Sequence, residues 1–156
     1  MKWLNSLLYE LFAVTLDAED VSQSDEVQIL AATVLAAAAY ADKRHKREER
    51  DAILRSLERW FGLNRRQGLK VLLDATHNLT AHGIERVYDR VRRRLPLDLR
   101  ERLMVAILHV VDADRARTSI EARFVQHTAA RIGVRRRVMD RAWGRYLAER
   151  ATKMAS

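Results

Sequence analysis

The chain carries the same helical pattern twice, and this repeat limits the folds open to it more than any other feature. The matching residues occur in the same order, Ala41-Asp42, Glu49 and Gly62-Leu63 in the first copy and Ala113-Asp114, Glu121 and Gly133-Val134 in the second. Each copy predicts an apolar helix, a loop, a second helix with a glutamate near its start, and a glycine at which that helix ends. Because a solenoid needs about three or more repeats, two copies indicate an internally duplicated globular domain.

The amino-acid composition further limits the fold class and the kinds of site that the chain can form. With 156 residues, 48% of them hydrophobic, and only 5 glycines and 1 proline, the chain favours one domain of packed helices. The absence of cysteine excludes disulfides and thiolate metal sites. Polar residues interrupt the start of the chain, and the longest apolar run, residues 27–41, is shorter than the ~20 residues that cross a bilayer. We therefore expect no secretory signal, no transmembrane segment and a cytoplasmic location.

Hydrophobic periodicity predicts an all-α fold, a single compact domain of about eight helices. Residues 1–26 are expected to form an amphipathic N-terminal helix and an acidic loop, and residues 27–156 the main helical domain. Two strongly apolar helices, residues 27–41 and residues 99–111, are expected at the centre. Ile107 lies midway along the second apolar run and is placed near the middle of the core.

Local signals predict where several helices begin and end. Asn64 is a candidate N-cap, Gly62 and Gly133 are candidate C-terminal stops, and Pro96 is expected to end the preceding helix. The last helix is expected to bury one apolar face, formed by Val138, Met139, Ala142, Trp143, Tyr146 and Leu147.

The repeated pattern resembles the TerB-like family, small helical domains named after a tellurite-resistance protein, and is also similar to the N-terminal domain of DnaJ-type membrane co-chaperones. The resemblance rests on the two sets of residues given above, together with residues 87–95 and 100–103, which are similar to the family's middle helices. It covers roughly residues 27–150. The resemblance implies an all-α fold and a non-enzymatic, stress-related interaction domain of the tellurite-resistance type.

The residues themselves also argue against an enzyme. No serine lies in a nucleophile-elbow setting, and no glycine-rich phosphate loop is present. Neighbouring carboxylates at Glu19-Asp20 and Glu48-Glu49 lie in exposed contexts, and no surrounding residue pattern indicates different environments that would separate their pKa values. His109, within an apolar helix, is interpreted as a hydrogen-bonded core histidine. We therefore predict no catalytic residues.

The resemblance implies a divalent-metal alternative, because the acidic loops of the family are linked to divalent cations. Four residues match those loops: Asp42, Glu49, Asp114 and Glu121. In this chain the Gly-Glu that follows each aspartate in the family is replaced by Lys43-Arg44 and by Arg115-Ala116, and positive charge opposes a dication. The glutamates have a second interpretation, since Thr118 and Glu121 have capping-box spacing and Glu49 would complement a helix dipole. Both interpretations stay open, and no other cofactor is predicted.

Arginine-rich segments provide the other candidate site. Net charge is +8, and the basic residues lie almost entirely after residue 42. Like charges at i, i+4 spacing and arginines at a helix N-terminus are unfavourable unless an anion compensates them. An acidic protein partner is the favoured hypothesis, with non-specific nucleic-acid binding as an alternative. The chain's own acidic segment, residues 17–26, and codon bias are the competing explanations. The candidate partner-binding residues are Arg92, Arg93, Arg94, Arg137, Arg141 and Arg145.

Overall fold

The computed structural model describes residues 26–41, 46–112 and 119–155, and these form seven α-helices. The predicted N-terminal helix and most of the acidic loop lie outside the described residues. The all-α prediction is confirmed. In chain order the helices are α1 (Glu26–Ala41), α2 (Lys46–Phe61), α3 (Arg65–His82), α4 (Ile84–Arg94), α5 (Leu97–Asp112), α6 (Ser119–Arg131) and α7 (Arg136–Ala155).

Most helix boundaries follow from local chemistry. Gly62 and Gly133 end α2 and α6 with φ values of 67° and 75°, which an L side chain rarely adopts. Asn64 begins α3 with a complete capping box: its Oδ1 accepts from the Gln67 N–H at 2.9 Å, and its own N–H donates to Gln67 Oε1 at 3.0 Å. Pro96 follows the cap of α4. The predicted stops and caps at these positions are therefore confirmed.

Two apolar helices form the centre of the domain, as predicted. Helix α1 packs against α2, α3, α4, α5 and α6, and its alanines allow close approach. Helix α5 packs against α1, α2, α6 and α7. Ile107 on α5 is 0% exposed, which confirms its predicted place in the core.

The sequence repeat corresponds to a repeated packing arrangement. In the first copy α1 packs on α2 and α3, and in the second copy α5 packs on α6 and α7. The two copies also exchange contacts, since α1 touches α6 and α5 touches α2. Helix α4 connects the copies and packs on both α1 and α6. The duplicated segments therefore share one core.

The last helix differs from the prediction at one residue. Val138, Ala142 and Tyr146 are buried, and Met139 and Trp143 are half-buried, but Leu147 is 53% exposed. Among the described helices α7 packs mainly on α5, and a helix with one main neighbour buries only a narrow stripe of residues. The prediction that Leu147 is buried was wrong for this reason.

The apolar helices of the domain are short. Within the described parts of the chain, none combines the length and the apolar character needed to cross a bilayer.

Candidate anion-binding surface

The six arginines singled out in the sequence are all exposed. Arg92, Arg93 and Arg94 lie in the last turn of α4, whose buried face is formed by Val87, Tyr88 and Val91. The remaining three, Arg137, Arg141 and Arg145, lie one turn apart along α7. Because the apolar face of each helix packs against the core, the arginines on the other faces are exposed to solvent.

The fold brings arginines from three helices together at the loop that joins α6 to α7. A Cβ on Gly133 would lie 2.8 Å from Nη1 of Arg100 and 3.4 Å from Nε of Arg92. Arg135, Arg136 and Arg137 follow Gly133 within four residues, and consecutive Cα atoms are about 3.8 Å apart. We call Arg92, Arg100, Arg135, Arg136 and Arg137 the arginine cluster. It unites the two arginine-rich segments that the sequence presents separately.

Within the arginine cluster, Arg100 holds the backbone at the C-terminal end of α6 in place. Its Nη1 donates to the carbonyl oxygens of Ile132 at 2.8 Å and Gly133 at 3.2 Å, and its Nε donates to the carbonyl oxygen of Leu95 at 3.1 Å. A cation near the C-terminal carbonyls of a helix is favoured by the helix dipole. Arg100 was not among the predicted site residues, and its contacts 32 and 33 residues away have no local signal in the sequence.

Some arginines of the candidate binding segments form ion pairs with carboxylates of the chain itself. Arg141 binds Glu101 through two hydrogen bonds, at 3.2 Å and 3.4 Å, and Glu101 is buried. Arg90 and Arg94 lie 3.9 Å and 4.0 Å from Glu26, the last residue of the predicted acidic loop. Of the three candidate arginines on α7, Arg141 is therefore compensated within the chain.

Other arginines of the surface lack an acidic partner. Within the described part of the chain, Arg92, Arg93, Arg137 and Arg145 form no ion pair with a carboxylate. Arg93 instead donates to the backbone oxygen of Asp89 at 3.3 Å. Because Arg92 and Arg137 belong to the arginine cluster, uncompensated positive charge remains there.

The four predicted metal ligands are only partly described. Asp42 and Asp114 lie outside the described residues, as does the side chain of Glu121 on α6. Glu49 is placed in the first turn of α2 and is 2% exposed, so a carboxylate is buried at a helix N-terminus, where the dipole favours it. Across residues 26–41, 46–112 and 119–155 no three acidic or histidine side chains are grouped to hold a metal ion.

Helices α4 and α6 are joined by a network that was not predicted from the sequence. Glu85 accepts from Nε of Arg131 at 2.7 Å and lies 2.8 Å from Nε2 of His127, while Arg131 also contacts Asp89 at 3.1 Å. The hydrogen bonds from His127 and Arg131 lower the pKa of Glu85 below its ordinary value of 4.5. Beside this network, burial raises the pKa of Tyr88, whose hydroxyl lies 2.7 Å from that of Thr128.

His109 is hydrogen-bonded, as predicted, but lies at the rim of the core. Its Nε2 is 2.7 Å from Oε2 of Glu149, and its ring packs edge-on against Tyr146 with centroids 4.9 Å apart. The side chain is 31% exposed. The polar tip therefore reaches a surface pocket between α5 and α7, while the ring edge stays on the core.

Comparison with known families decides the assignment. The family model described as tellurite resistance protein TerB matches residues 28–143, well over half of the chain. The chain belongs to the TerB family. The match includes both copies of the repeat and helix α4 between them, so the predicted resemblance to TerB is confirmed. No curated protein and no solved structure is significantly similar to the chain.

Proposed function

We infer that this TerB-family chain is a non-enzymatic interaction domain of the tellurite-resistance type that binds an acidic protein partner through the arginine cluster. The observation that carries this proposal is the convergence of α4, α5 and α7 at Gly133, with Arg92 and Arg137 left without acidic partners in the described chain. Guanidinium groups bind carboxylates in a bidentate geometry, so closely spaced arginines suit an acidic peptide segment.

Apolar surface beside the arginine cluster supports a protein partner over nucleic acid. Leu97 lies one turn before Arg100 on α5 and is 44% exposed. Protein interfaces are enriched in arginine and depleted in lysine, and their buried centres are more apolar than the rest of the surface. Proteins that hold single-stranded nucleic acid stack bases on aromatic side chains, whereas Tyr146 is buried here and Trp143 is half-buried.

The proposal is tested with a labelled glutamate-rich peptide and a random-sequence DNA duplex as probes. The test variant replaces Arg92, Arg136 and Arg137 by Gln and keeps Arg100, because Arg100 holds the α6 terminus. We expect peptide binding that weakens with salt and falls at least about tenfold in this variant, as measured by fluorescence anisotropy.

A matched control removes the same charge elsewhere. Arg55, Arg86 and Arg123 lie on α2, α4 and α6 and are exposed, and their triple Gln variant should bind the peptide as the unmodified protein does. Equal losses in both variants would mean that only net charge matters and would contradict the proposal. Displacement of the peptide by duplex DNA at physiological salt, with a steep salt dependence, would instead support the nucleic-acid alternative.

A further inference from the structure

A second positively charged site lies away from the arginine cluster, in a pocket of about 120 Å³. Its floor is α5, with Val105 and Ala106, and its walls come from α2 and α7. Since a cavity holds one water when its volume exceeds about 10–15 Å³, this pocket has room for a group several times larger. Packing of α2 and α7 on the same helix therefore creates a defined site.

Three helices each direct one arginine to the pocket. Arg59 comes from α2, Arg102 from α5 and Arg145 from α7. Arg102 and Arg145 make no hydrogen bond or ion pair with any residue that the structure describes. Guanidinium groups keep their charge at all physiological pH values, so two uncompensated charges line the same small volume.

The pocket also contains a carboxylate, Glu149, whose charge is already compensated. Its Oε2 lies 2.7 Å from Nε2 of His109 and 3.6 Å from Nη1 of Arg59. It is the one acidic side chain among the described residues that line the pocket. The arrangement leaves the charges of Arg102 and Arg145 for an external anion.

We propose that this pocket binds the phosphate group of a small molecule, held by Arg102 and Arg145. A dianion balances both guanidinium charges, whereas a carboxylate balances only one, and the fork of donors on each arginine matches phosphate oxygens. Trp60 on the α2 wall is half-buried and offers an apolar face to an organic group attached to the phosphate. The free ion and a phosphomonoester share this chemistry.

The test is calorimetric titration of the full chain with inorganic phosphate and with phenyl phosphate, at constant ionic strength. We expect saturable binding in about the millimolar range or tighter, weakened at least about tenfold by the double variant Arg102→Gln, Arg145→Gln. The control variant Arg86→Gln, Arg123→Gln has the same net charge, changes exposed residues that belong to neither arginine site, and should bind phosphate within about twofold of the unmodified protein. Thermal unfolding verifies that both variants are folded.

A third variant makes a prediction in the opposite direction. Glu149→Gln removes the carboxylate from the pocket but keeps a hydrogen-bonding group beside His109, so phosphate should bind more tightly.

Tighter binding of phenyl phosphate than of inorganic phosphate would identify a phosphomonoester as the ligand, and equal binding would identify the free ion. Unchanged phosphate binding in the Arg102, Arg145 variant, or equal binding of chloride, would overturn the proposal. The arginine cluster is tested with other variants and with a glutamate-rich peptide, so failure of one proposal is distinguishable from failure of the other.

Discussion

At the scale of single residues, two glycines should respond in opposite ways to the same change. Gly144 lies inside α7, and a Cβ there would meet no described atom within 4 Å. Gly144→Ala should therefore raise the free energy of unfolding by about 0.5–1 kcal/mol, because alanine is the better helix former. Urea denaturation measures this difference.

Gly133→Ala is the matched comparison. Its φ of 75° disfavours an L side chain, and the new Cβ would lie 2.8 Å from Nη1 of Arg100. We expect a loss of about 1–2 kcal/mol from the conformational strain alone. If both variants changed stability in the same direction, the assignment of Gly133 as a required left-handed terminus of α6 would be wrong.

At the scale of helices, the contact between α4 and α6 should depend on pH through Glu85. Its pKa is lowered in the folded protein, so the ionised form is stabilised by folding. The stabilisation is present above the ordinary pKa of 4.5 and is lost as the pH falls through the lowered value. Because the side chains of Glu85, His127 and Arg131 are partly exposed to solvent, this stabilisation at neutral pH is at most about 1 kcal/mol.

The variant Glu85→Gln tests this contact. Its difference in unfolding free energy from the unmodified protein should shrink as the pH falls from neutral to about 3, and should also shrink with salt. Glu58→Gln is the control, since Glu58 is exposed on α2 and its side chain has no partner among the described residues. A Glu85 effect that persisted unchanged in acid would contradict an electrostatic origin.

At the scale of the whole molecule, the two copies of the repeat depend on one shared core. Ile107 lies at its centre on α5, so Ile107→Ala should lower the free energy of unfolding by about 2–5 kcal/mol through the cavity it leaves. Ile107→Asp should unfold the domain by burying an unpaired charge, which circular dichroism detects. Leu147→Ala should change stability by no more than about 0.5 kcal/mol, because Leu147 is exposed. Separate unfolding transitions for the two copies would contradict a shared core.

The sequence by itself determined the helices, the central pair and the family. Periodicity, the Asn64 cap and the glycine stops act through backbone hydrogen bonds and sterics within about one helical turn, so they can be read locally. Ile107 followed from the apolar run around it. Leu147 could not be placed correctly, because its burial depends on how many neighbours surround α7, and only the assembled helices decide this.

Only the tertiary structure determined where charge accumulates. Arg92 and Arg137 each belong to a recognisable basic segment, but their meeting at Gly133 depends on the packing of α4, α5 and α7. Arg145 stands in a basic segment of the sequence and Arg102 was not singled out there, and the two share a pocket because α2 and α7 flank the same helix. Electrostatic interactions depend on distances between side chains that are far apart in the chain. Those distances are fixed by packing of the apolar faces, and the charged residues follow the helices that carry them.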